Sequence, residues 1–114
     1  MDSSGKDLFI EQVEHLHESH FLVLFWAAQA EDRRLKYNIT NAFDDLKAAG
    51  ITRTKQNAVA ILDALAALRF LQLRGEANRR HIYLSPHGGK ALEYMAVKNK
   101  FTPRKSAFLE GLAS

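Results

Sequence analysis

Between residues 50 and 95 the chain changes its hydrophobic period twice, and this order of patterns limits what it can become. Ala58, Ile61, Leu62, Leu65 and Leu68 recur at helical spacing, which predicts a helix from Thr54 to about Arg69. Phe70-Leu71-Gln72-Leu73-Arg74 and His81-Ile82-Tyr83-Leu84-Ser85 then alternate as half-buried strands do, with residues 75–80 as the tip of a hairpin. Ser85-Pro86 supplies a cap followed by proline at the first helical position, starting a helix over 86–98.

The flanks read as helices. Phe9, Ile10, Val13 and Leu16 give 7–17 a helical stripe, and Asp7 puts negative charge at its positive end. Ser19 caps a second helix over 20–30, or the two are continuous. Residues 21–26 leave no polar face, so that helix is buried nearly all round, by the chain's own core or by a second copy. Residues 31–34 form a polar exit, and 37–40 a short extended piece. Thr40 or Asn41 caps a helix over 42–49 with Phe43, Leu46 and Ala49 inward, and Gly50 stands where a helix end favours a left-handed residue. Thr52 or Thr54 caps the next helix. Thr102-Pro103 repeats the cap-proline signature for a last helix carrying Phe108, Leu109 and Leu112. The expected fold is mainly α with a small β-hairpin, a single domain over 1–114 with a core unit at about 40–95.

Several classes fall away. With no cysteine there are no disulfides, thiol nucleophiles or Cys-based zinc sites. The first residues lack the charged and then apolar run of a secretion signal. The longest apolar run, 21–28, is far short of the roughly 20 residues that span a bilayer, so the expectation is a cytoplasmic protein with no membrane role. There is no G-x-S-x-G, phosphate loop or dinucleotide turn, and Gly88-Gly89 falls inside a helix start. Asp44 and Asp45 are adjacent on a helix and point apart. No catalytic residue and no cofactor is expected. His15, His17 and His20 cluster with Glu14 and Glu18, but His15 faces away from the other two imidazoles, and the expectation is no metal.

The net charge of +3 says less than its distribution. Residues 1–50 carry five Lys/Arg against nine Asp/Glu, whereas 51–81 carry six against two and 82–114 five against two. An acidic front and a basic middle suit a surface offered to polyanions.

The segment LSPHGGKALEYM, residues 84–95, resembles the "LTxxGxxxL" passage from wing strand to helix in the winged helix-turn-helix superfamily, within it the MarR-like transcriptional regulators. Leu65-Ala66-Ala67-Leu68-Arg69-Phe70-Leu71 resembles that family's "LxxxGL" exit from the recognition helix, with Arg69 where glycine usually stands. The resemblance covers about residues 40–95. It implies a winged helix-turn-helix fold, duplex DNA as partner, and a homodimer built from the terminal helices, here 7–30 and 86–112. It also leaves room for a small-molecule effector between those helices and the core.

On that reading, helix 54–69 is the reader and the hairpin over 74–81 the wing. Arg53, Thr54, Lys55, Gln56, Asn57 and Ala60 would face base edges: Arg suits guanine, Gln or Asn suits adenine, and a small apolar group suits a thymine methyl. Thr52 and Thr54 with the first-turn amides would hold a phosphate. Arg74, Arg79 and Arg80 would contact phosphates or the minor groove. The bland readings are simple capping by Thr52, Thr54 and Asn57 and solvated arginines on the hairpin; the unbroken polar run 53–57 exceeds what a cap requires. Competing functions are a winged-helix protein–protein module and a plasmid or phage DNA-binding protein for replication or partition.

Overall fold

A computed structural model describes residues 4–76, 78–98 and 101–113, with side chains placed for 8–76, 78–98 and 101–111. Six helices and one hairpin follow in the order α1 (Ser4–Glu14), α2 (Glu18–Asp32), α3 (Ile39–Ala48), α4 (Lys55–Ala67), β1 (Leu71–Glu76), β2 (Arg79–Leu84), α5 (Pro86–Val97) and α6 (Ala107–Ala113). The mainly helical architecture with one antiparallel hairpin is therefore as expected. No helix among the described residues is long and apolar enough to cross a membrane.

Helix α2 is the central post. Phe21, Leu22, Val23, Leu24, Trp26, Ala27 and Ala30 are all buried, within the chain's own core. Its cap is His17 rather than Ser19: the His17 backbone N–H donates to Nδ1 of His20 at 3.0 Å, and the first two helices are separate. At its far end Arg34 turns left-handed at φ 57, and Glu31 accepts a hydrogen bond from the Leu84 N–H at 2.6 Å, tying β2 to α2.

Helix α3 starts earlier than its sequence suggests. Asn38, not Thr40 or Asn41, is the cap, and Asn38 and Asn41 satisfy each other's backbone N–H groups at 2.8 and 3.0 Å. A reciprocal asparagine pair replaces the usual Ser/Thr…Glu box. Its buried face is Ile39, Ala42, Asp45 and Leu46, with Phe43 and Ala49 half-buried.

The strands run longer, and the tip is shorter, than residues 75–80. Glu76 pairs with Arg79 and Gly75 with Arg80, so both arginines are strand residues, and Asn78 just before β2 has φ 67. An Asn in the left-handed region between two antiparallel strands suits the natural strand twist. Tyr37 and Asn38 add a short third element: Asn38 bridges His81, and the Ile82 N–H donates to the Tyr37 carbonyl at 2.7 Å.

Helix α5 begins as expected, Ser85 Oγ accepting from the Gly88 N–H at 2.9 Å. The last helix does not begin at Pro103. Residues 102–106 belong to no helix or strand and are held by long-range bonds: the Trp26 Nε1–H donates to the Arg104 carbonyl at 2.8 Å, and Arg104 donates to the Ala49 carbonyl at 2.8 Å. Ser106 caps α6 and donates to the buried carboxylate of Asp45, which also accepts from Tyr37 Oη and from the Phe108 N–H at 2.9 Å. Tertiary bonds thus override the local cap-proline signal. The Phe101 ring lies tilted against Phe21 and the Phe108 ring tilted against Tyr37, and Leu109 is buried, so the terminal aromatics are spent on this chain's own core. The side chains of Asp7 and Leu112 lie outside the described residues.

Candidate nucleic-acid interface

The turn between α3 and α4 is set by Gly50 at φ +76, a backbone conformation that L side chains rarely adopt. Thr52 follows and is buried at 6% exposure; its hydroxyl donates to the Thr54 carbonyl at 3.2 Å. It closes the turn from inside and does not reach the surface. Thr54 caps α4, its hydroxyl accepting from the Asn57 N–H at 3.2 Å. Helix α4 ends at Ala67, two residues before the expected exit, because Leu68 caps it and Arg69 turns left-handed at φ 65.

Arg53, Thr54, Lys55, Gln56, Asn57 and Ala60 are all exposed. The sequence-predicted reading edge is open to solvent, while Ala58, Leu62 and Leu65 anchor the opposite side in the core. Beside that edge runs a cleft of about 290 Å³, bordered by Asn38 and Thr40 at the start of α3, Lys55 and Val59 on α4, and Arg79 and Arg80 on β2. Lys55 Nζ donates to the Thr40 hydroxyl at 3.2 Å and spans the two helix starts.

The three hairpin arginines are not one group. By strand alternation Arg80 shares a face with Leu73 and Ile82 and approaches Asp63 of α4 at 3.7 Å, an exposed pair. Arg74 belongs to the other face, its guanidinium 4.6 Å from the Tyr83 ring centre and 2.8 Å from Gln72 Oε1. Alternation puts Arg79, paired with Glu76, on the Arg74 face as well, yet at the end of the strand both Arg79 and Arg80 border the cleft, and Arg74 does not.

Glu76 shares the Arg74 face, where its Oε1 accepts from Lys36 Nζ at 2.9 Å and from Tyr83 Oη at 3.1 Å. Those hydrogen bonds hold its carboxyl below the usual carboxylate range and raise the Lys36 ammonium correspondingly. The acid beside the hairpin tip is therefore matched by its own lysine and does not line the cleft. His81 Nδ1 sits 3.4 Å from the same oxygen, buried and without a hydrogen-bond partner among the described residues.

Asn38, Thr40, Val59 and Asn78 border the cleft but were not legible as site residues. Thr40 carries the typical cap chemistry that hides a surface role, and nothing local in the sequence says that the start of α3 faces the hairpin. At the other end of the molecule, His20 Nδ1 is an acceptor, so its ring is neutral with the proton on Nε2; burial, then His17 nearby, lowers its proton affinity. Among the described residues no group of three or more His, Asp or Glu side chains could hold a metal ion. Set against known proteins, the chain matches no family model, and no significant match is found among curated proteins or solved structures.

Proposed function

We propose that this protein is a winged-helix transcriptional regulator that binds duplex DNA, with α4 entering the major groove and the β1–β2 hairpin as the wing. One observation carries this reading: six exposed side chains suited to base edges line the start of a helix whose neighbour across the cleft is a pair of strand arginines. The α3–turn–α4 order suits a helix-turn-helix reading, and the Asn38–His81 bridge, which ties the start of α3 to the hairpin, suits a wing beside it. Gln56, Asn57 and Arg53 supply direct readout. Lys55, Arg79 and Arg80 take the phosphates flanking the groove.

The test is a salt titration of binding to random duplex DNA. Removing both strand arginines, Arg79→Ala with Arg80→Ala, should weaken binding alike on all sequences and make the slope of log K against log salt shallower by about 1.8, two phosphate contacts' worth. Gln56→Ala should leave that slope unchanged and lose about 1–3 kcal/mol at one or two base positions of a selected site. An unchanged slope in the double variant removes the wing from the proposal. No salt-dependent binding at all would favour an interaction module built on the same fold.

A further inference from the structure

Histidines build the joint between α1 and α2. His15, His17 and His20 border one hollow of about 420 Å³, together with Glu11 and with Ala64 and Leu68 of α4. The His17 and His20 rings lie 5.7 Å apart. His20 stands at the third position of α2, where a capping box usually carries Glu or Gln, and its Nδ1 accepts the His17 N–H at 3.0 Å. An imidazole nitrogen accepts only while it is unprotonated. His15 has the opposite role at the end of α1: its Nδ1–H donates to the Glu11 carbonyl at 2.7 Å, a bond that survives when the other ring nitrogen takes a proton. The macrodipoles agree, since a cation suits the end of α1 and opposes the start of α2.

From this arrangement we propose that the joint is a proton-operated latch: in mildly acidic solution, protonation of His20 breaks the cap of α2 and lets α1 lift from a core that stays folded. A proton on Nδ1 turns one N–H toward another, so the attraction between His20 and the His17 backbone becomes a repulsion. Burial, then the neighbouring His17, lowers the proton affinity of His20 from 6.5 in the closed joint, and opening relieves both. Acid therefore favours the open form. The latch is complete above pH 6.5 and is lost as pH falls through the lowered folded value.

The neighbouring charges are already engaged or open to water. Glu18, in the first turn of α2, is held by Arg104 at 3.2 Å, and Glu14 accepts from Tyr94 Oη at 3.1 Å. Glu11 is exposed, where salt and water screen it, and α4 brings the apolar Ala64 and Leu68 to the hollow. Attachment is unequal on the two sides of the joint. Helix α1 is held by Val13 and by Phe9, whose ring meets those of Phe70, His87 and Tyr94. Helix α2 has seven buried residues, and its Trp26 is bonded to the Arg104 carbonyl. The weaker side yields first. This latch lies apart from the polar start of α4 and does not depend on the DNA-binding reading.

Amide hydrogen exchange on the whole protein at about pH 7.5 and about pH 5, corrected for the intrinsic pH dependence of exchange, tests it. Opening of α1, read at residues 8–14, should increase by about tenfold per pH unit between 6.5 and the lowered value of His20, while residues 21–30 keep their protection. His20→Gln, whose side-chain oxygen accepts a bond but takes no proton, should hold α1 equally at both pH values. His20→Ala should leave α1 open at both. Equal protection of α1 at the two pH values in the parent overturns the proposal, as does a His20→Ala protein as closed as the parent at about pH 7.5. A pH response that persists in His20→Gln overturns it too, and would point to His87 beside Phe9 instead. Loss of protection in α1 and α2 together would mean unfolding of the whole chain, and no latch.

Discussion

Two glycines side by side in α5 answer to different physics. A Cβ on Gly88 would stand 1.7 Å from the Phe70 carbonyl oxygen, because the start of α5 is pressed against the strand entry, whereas Gly89 faces open space. Gly88→Ala should therefore lower unfolding free energy by about 3 kcal/mol or more, while Gly89→Ala should raise it by about 0.5–1 kcal/mol. Urea denaturation of the two variants checks both signs. Sequence shows the pair of glycines; it does not show which has backbone overhead. Titration adds a second residue-scale prediction. Burial, then the Asp45 carboxylate, pushes the Tyr37 phenol well above its ordinary value of 10.0, so the fold keeps the proton that the unfolded chain sheds. That contribution is complete below pH 10 and lost as pH rises through and beyond it. Urea midpoints measured from about pH 9 to 11 should fall, and the fall should be smaller in Tyr37→Phe, whose baseline stability is lower for want of the Asp45 bond. His20 works in the other direction: its folded proton affinity is lowered from 6.5, so its contribution is present above pH 6.5 and declines as pH falls below it.

At the scale of elements, what the sequence made legible was what local chemistry decides. The Ser85-Pro86 start of α5 and the stripe of α4 are set within a few residues, and the structure has both. The hairpin's length was not legible, because Glu76, Arg79 and Arg80 look equally at home in a polar loop and on an exposed strand edge. That difference matters to the candidate site, since strand alternation is what parts Arg74 from Arg80. It also places Arg80 beside Asp63, the carboxylate on α4 nearest the cleft. An exposed pair of this kind adds little to stability, yet it holds one cation and sets a negative charge near the proposed DNA backbone. Asp63→Asn should leave the melting temperature within about a degree or two and tighten DNA binding about two- to fivefold at low salt. Equal affinity in the two proteins would separate Asp63 from the interface.

Across the whole molecule, the segment from Phe101 onward closes the core over α2 and α3. It supplies the acceptor for Trp26, the cation for the Ala49 carbonyl that caps α3, and two of the donors for Asp45. A chain stopped after Val97 would leave the Asp45 carboxylate with Tyr37 as its remaining donor here, and the indole N–H with none. Such a chain should melt roughly 10 °C lower or more and shift Trp26 fluorescence to longer wavelength, the chain's one tryptophan reporting directly. None of this was readable along the sequence, since Asp45 looks like half of a surface pair with Asp44 until its partners, 61 and 63 residues on, are in place. The same separation orders events during synthesis. While residues 98–108 are still to be made, α3 and α4 are already synthesised, but the Asp45 carboxylate beneath them still lacks the Ser106 and Phe108 donors. Helix α4 can be drawn early from the nascent chain; it becomes firmly mounted only once translation has passed Phe108.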